Sequence, residues 1–139
     1  MPIATRHILR STLLAVASIG FIAAGANHFR HAELYERMIP PGFTAPSLLV
    51  IVSGVFEIIG GIGLLIPRLR RAAGWGLILL LITVFPANVY MAIVPEKFPD
   101  FHVPRWAFWA RLPMQAMLIA WIYFVALRRD QPALSQDAK

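Results

Sequence analysis

The 139-residue chain contains no cysteine. This excludes a disulfide, a thiolate nucleophile, and any zinc or iron–sulfur centre ligated by Cys from this polypeptide. It says nothing about compartment. Charge is also scarce. Asp, Glu, Lys and Arg make up 14% of the residues, whereas a soluble globular domain carries about a quarter. With 58% hydrophobic residues and a mean hydropathy of +0.66, the chain lacks the polar surface that a water-soluble domain needs. The composition therefore implies an integral membrane protein, and the length permits one domain. Several chemistries have no counterpart in the sequence. No Ser-His-Asp set, paired catalytic carboxylates or dinucleotide fingerprint is present. Gly60-Gly61-Ile62-Gly63 lacks the Lys-Ser/Thr that a phosphate loop requires. None of the four histidines lies deep in an apolar run, where an axial haem ligand would sit.

Four long apolar runs are present. The first, Ile8 to Phe29, follows a short basic start with Arg6, His7 and Arg10. It is longer than the core of a cleavable signal, so it reads as a membrane anchor. Ala17, Gly20 and Ala24 give it a face of small residues. The Arg30–Pro46 connection begins as amphipathic sequence and is then broken by Pro40-Pro41-Gly42 and Pro46, which predicts an interfacial half-helix followed by a turn. The second run, Ser47 to Ile66, ends at Pro67. A short Arg68-to-Arg71 link makes it the neighbour of the third, Ala72 to Val94. Pro86 lies inside the third run and frees a carbonyl one turn earlier, which Thr83 and Asn88 are placed to serve. After the Pro95–Pro104 loop, the fourth run opens on Trp106, Phe108 and Trp109, an interfacial aromatic belt. It closes at Arg128-Arg129-Asp130. Residues 1–130 are thus expected to form one all-α, four-transmembrane-helix bundle running up-down-up-down, with 131–139 a disordered cytoplasmic tail.

The basic residues are distributed unevenly. Arg6, Arg10, Arg68, Arg70, Arg71, Arg128, Arg129 and Lys139 fall on the side of the termini. Arg30, Arg37, Lys97 and Arg105 fall on the other, offset by Glu33, Glu36, Glu96 and Asp100. The positive-inside rule then places both termini in the cytoplasm and the longer loops outside, in a bacterial-type inner membrane. The net charge of +6 is accordingly a topology signal. No basic stripe with interleaved aromatics lies outside the runs, so nucleic acid is not an expected partner.

A few polar residues interrupt the apolar runs. Glu57 lies near the middle of the Leu48–Ile66 stretch, which is about 28 Å long as a helix. An unpaired carboxylate at that depth costs several kcal/mol, so it faces a bundle interior and has a partner or a proton. Ser53, Glu57 and Gly61 share a helix face, with Gly54 beside them, and such a small-residue face admits a second backbone closely. Counting from the outer ends, Asn88 and Arg111 lie about 9 Å deep, and Glu57 and Gln115 about 15 Å deep. His28 sits at the outer end of the first run. Arg111 is long enough to reach Glu57 across the interior. The predicted cluster is therefore His28, Glu57, Asn88, Arg111 and Gln115, open to the outside. Two readings of the Glu57–Arg111 pair stand side by side: an ion pair fixing helix register, and part of a ligand or proton site. Asn88 and Gln115 serve equally as interhelical hydrogen bonds. His28, His31, Glu33 and His102 match no compact metal-ligand spacing, so no metal is assigned.

The sequence resembles the DoxX-like family of small four-helix membrane proteins over about residues 8–127. The resemblance rests on Ala24-Gly25-Ala26-Asn27-His28-Phe29, Tyr35 with Met38-Ile39-Pro40-Pro41, and the stretch Ser53 to Leu65. Phe85-Pro86-Ala87-Asn88 with Tyr90-Met91, and Arg111-Leu112-Pro113-Met114-Gln115, complete it. It implies an accessory or subunit of a quinone-linked redox system, as in thiosulfate oxidation, with quinone or another amphipathic molecule near Glu57, Asn88 and Arg111. In that role Glu57 handles a proton or hydrogen bond, Arg111 is its counter-ion, and Asn88 and Gln115 orient the ligand. A non-enzymatic assembly factor, chaperone or lipid-binding protein is the alternative, with a membrane-protein partner or a second copy as its associate. A small transporter is a third reading, and would require oligomerisation.

Overall fold

The computed structural model describes residues 3–128, so the expected tail at 131–139 lies outside the described residues. Within them the chain is all-helical: α1 Ile3–Arg30, α2 Ala32–Met38, α3 Pro46–Leu65, α4 Arg70–Ile93 and α5 Arg105–Ile122. Two short 3-10 turns, Pro95–Lys97 and Pro99–Phe101, join α4 to α5, and a π-turn at Tyr123–Leu127 extends α5. Four of these segments are long and apolar enough to cross a membrane: Thr5–Arg30, Pro46–Leu65, Arg70–Ile93 and Arg105–Leu127. The short α2 is the expected half-helix.

Helix limits follow local chemistry. α3 starts at Pro46, whose missing N–H costs nothing in a first turn, and stops before Pro67. The Arg70 side chain then reaches back to the Leu64 carbonyl (2.9 Å), one of the carbonyls a helix end leaves without an N–H. At the far end of the chain Arg10 does the same between elements. Its Nε donates to Val125 O (3.0 Å) and one terminal nitrogen to Arg128 O (3.2 Å), which ties α1 to the π-turn. Read from sequence, these arginines were only topology charges.

Between Gly54 and Gly63, α3 buries its glycines and exposes most of its larger apolar side chains. Gly54, Gly60, Gly61 and Gly63 are buried, while Phe56, Ile59 and Ile62 are exposed. Exposed apolar side chains are also spread over α1, α4 and α5, including Ile19, Leu79 and Met117. In a lipid solvent, apolar burial between helices gains little, and close backbone packing takes its place. α1 packs most extensively on α3, with Gly25 against Gly54 and the buried Ser18 hydroxyl donating to the Gly61 carbonyl. A Cβ at Gly25 would lie 2.5 Å from Gly54 O, so no larger residue fits without a shift. The expected small face of α1 is partly corrected. Ala17 is buried, but nothing approaches within 4 Å of a Cβ built on Gly20, and the close contact runs through Ser18, Ile22 and Gly25.

α4 packs on both α3 and α5, and the π-turn returns to α1. One apolar cluster gathers Leu14, Phe21, Leu64, Leu77 and Ile122; a second gathers Met38, Met91, Phe98 and Phe108 at the end holding α2. Phe108, expected in the aromatic belt, is only 3% exposed and belongs to this second cluster, whereas Trp106 and Trp109 face outward. Leu81 of the first cluster and Met38 of the second both line the cavity that separates them.

Candidate functional site

The cavity has a volume of about 380 Å³, within the range of small-molecule pockets. α3 and α4 supply most of its walls, and α2 with the chain after it contributes Tyr35, Met38 and Phe43. Four of the five residues expected to cluster line it: His28, Glu57, Asn88 and Arg111. Gln115 is buried behind Asn88, to which it is hydrogen-bonded.

His28 is carried at the last turn of α1, where Gly54 of α3 lets the two helices close; a Cβ on Gly54 would stand 2.9 Å from His28 Cβ. The histidine is buried. Its Nδ1 lies 3.0 Å from the Ala24 carbonyl and 3.2 Å from Glu57 Oε2. A ring nitrogen facing two acceptors carries the proton, and that proton points along the helix to Ala24 O. Glu57 is therefore at ion-pair distance without an aligned hydrogen bond, and its buried Oε2 has no hydrogen-bond partner among the described residues. On its other side His28 stacks against Tyr35 (centroids 3.9 Å apart), whose hydroxyl accepts a hydrogen bond from Asn27 Nδ2 at 3.0 Å.

The predicted Glu57–Arg111 pair is not formed. Glu57 projects from the α3 face that meets α1, whereas α5 bears on α4, so the carboxylate finds His28 instead. Arg111 turns to the second apolar cluster. Its guanidinium contacts Met91 Sδ (3.6 Å) and lies over the Phe101 ring at 5.8 Å, a cation–π contact. Both residues still line the one cavity.

Asn88 and Gln115 hydrogen-bond as side chains, Asn88 Nδ2 donating to Gln115 Oε1 at 2.9 Å. Gln115 Nε2 in turn donates to the Leu81 carbonyl of α4. The carbonyls around Pro86 are thus served differently from expectation. Thr83 bonds back to Leu79 O (2.8 Å) and Asn88 is engaged with Gln115, so neither serves the Ile82 carbonyl that Pro86 frees; the α5 donor Gln115 reaches Leu81 O, one residue before it. Among the described residues no three His, Cys, Asp or Glu side chains are grouped as metal ligands.

Tyr35, Asn27 and Met91 were not read as site residues. Tyr35 was signalled by the amphipathic sequence after Arg30 and the prolines that follow, which fold α2 back over the end of α1.

A family profile matches residues 17–126, most of the chain, and takes in all five candidate site residues. The chain belongs to the family described as Domain of unknown function (DUF8561). The DUF8561 match begins within α1 and ends in the π-turn, so it includes the cavity and every helix that lines it. No curated protein matches the chain. No solved structure matches it either.

Proposed function

We propose that this is a multi-pass protein of a bacterial-type inner membrane that binds a small amphipathic molecule in the cavity, as an accessory or subunit of a quinone-linked redox system. The observation carrying the reading is one cavity in which apolar walls surround His28, Glu57, Asn88 and Arg111. Such a pocket suits a molecule with a flat polar head and a hydrocarbon tail. The DoxX-like resemblance, carried by the same residues, supports quinone as the class.

The proposed arrangement is up-down-up-down with both termini cytoplasmic and the cavity in the outer half. It is supported by contacts whose numbers rise on one helix as they fall on the next. Ser18 meets Gly61 and Gly25 meets Gly54; Gly60 meets Leu77 and Gly63 meets Ala73; Gly74 meets Ala126 and Met91 meets Arg111. The excess of Lys and Arg on the side of the termini supports the orientation.

The test is a titration of the detergent-purified protein with a decyl-tailed benzoquinone, followed by tryptophan fluorescence. Saturable binding is expected, and Arg111→Met, which removes the guanidinium N–H groups from which a quinone oxygen would accept, should weaken it about tenfold, the worth of one charge-assisted hydrogen bond. Absence of saturation, together with a tightly held phospholipid or membrane-protein partner after gentle extraction, would replace this reading by the lipid-binding or assembly-factor one.

A further inference from the structure

Several donors around the cavity are directed away from Glu57. Ser53 Oγ donates to Val50 O at 3.0 Å and Thr83 Oγ1 to Leu79 O at 2.8 Å, each within its own helix. The Asn88 amide donates to Gln115, and the proton on His28 Nδ1 is directed at Ala24 O. The Glu57 carboxylate, which lines the same space, accepts no hydrogen bond from the described residues. A carboxylate has about four acceptor positions, and a buried one without donors is costly. Oε2 faces a ring N–H, so it presents a lone pair there, and what the group lacks is a donor. Arg111 is the complement. Its five N–H groups meet only a weak sulfur acceptor and an aromatic face, so it has hydrogen bonds to give.

We infer that the occupant supplies the missing donor: the cavity selects an amphipathic molecule whose head carries an O–H for Glu57 and an oxygen that accepts from Arg111. This rests on the pocket reading above and narrows it. A hydroquinone satisfies both groups, since each hydroxyl donates and accepts. A quinone offers acceptors only and leaves Glu57 as it is. The reduced form is the one bound.

Two matched pairs test this on the full-length purified protein. One is a decyl-tailed hydroquinone against its quinone, under argon; the other is 4-nonylphenol against its methyl ether. The hydroxyl member of each pair should bind about tenfold more tightly, the range for a hydrogen bond to a charged group. Glu57→Leu should shrink both preferences to less than about twofold on the same scale. Equal affinity within either pair that binds, or tighter binding of the quinone or the ether, overturns the inference. Preference for the phenol with neither quinone form binding upholds the donor requirement and removes the quinone class. Quinone and hydroquinone binding equally does the reverse. Failure of all four compounds to bind removes both. Should Glu57→Leu not accumulate, the comparison on the unaltered protein decides by itself.

Discussion

At the residue scale, the informative side chains were those that interrupt apolar sequence. Glu57, Asn88 and Gln115 each stand out in a hydrophobic run, and a polar group there must face another helix. Three turned out to be buried or half-buried, and two bond to each other. Partner identity was not legible, because depth along a helix can be counted while rotation about its axis cannot. Glu57 and Arg111 were matched by reach, and a turn of the α3 face toward α1 gave the carboxylate to His28. Gly25 illustrates a constraint that the sequence does carry. Its hydrogen is all that separates α1 from the Gly54 carbonyl, since a Cβ would approach to 2.5 Å. Gly25→Val should lower stability by about 1–3 kcal/mol, the usual cost of overpacking a close contact. A thermal melt in detergent measures this, and an unchanged midpoint would mean that the helices separate at no cost. Gly20→Val, with nothing near its Cβ, is the matched control.

At the element scale, the four long helices and the short α2 could be read from apolar run length and proline placement, with limits shifted by a few residues at most ends. The π-turn at Tyr123–Leu127 could not, since nothing in its composition differs from the helix before it. Its setting supplies an explanation. A wider turn leaves carbonyls without their regular N–H partners, and Arg10 donates to Val125 and Arg128 there. A cation at a helix C-terminus contributes about 0.3–1 kcal/mol. Replacing it, Arg10→Leu, should speed amide exchange in 123–128 by about fivefold, the factor equivalent to 1 kcal/mol. Exchange in α3 should not change. Acceleration spread evenly over all helices would show that Arg10 supports the whole packing and not this turn. The Pro86 region teaches a similar lesson. The proline flagged a weak point in α4, and the side chain that bonds the backbone beside it, at the Leu81 carbonyl, is Gln115 of another helix, 34 residues further on.

At the scale of the whole molecule, composition was enough to anticipate an all-helical chain with four segments able to cross a membrane, and the fold has them. The cavity was less legible. Its polar residues were foreseen as a cluster, but its volume arises where two apolar clusters fail to meet, and its cover comes from α2. The proposed orientation has a direct test that the chain itself makes convenient, because it contains no cysteine to remove. A cysteine placed at Glu33 or Glu96 should react with a membrane-impermeant maleimide on intact cells. One placed at Arg68 should react only after permeabilisation. Labelling of Arg68→Cys in intact cells would invert the assignment. The seam between Arg10 and the π-turn carries a further consequence for assembly. The carbonyls that Arg10 holds belong to residues 115 and 118 positions downstream. Those two contacts can form only once α1 and the last helix lie side by side, so they report closure of the bundle and not the formation of either helix.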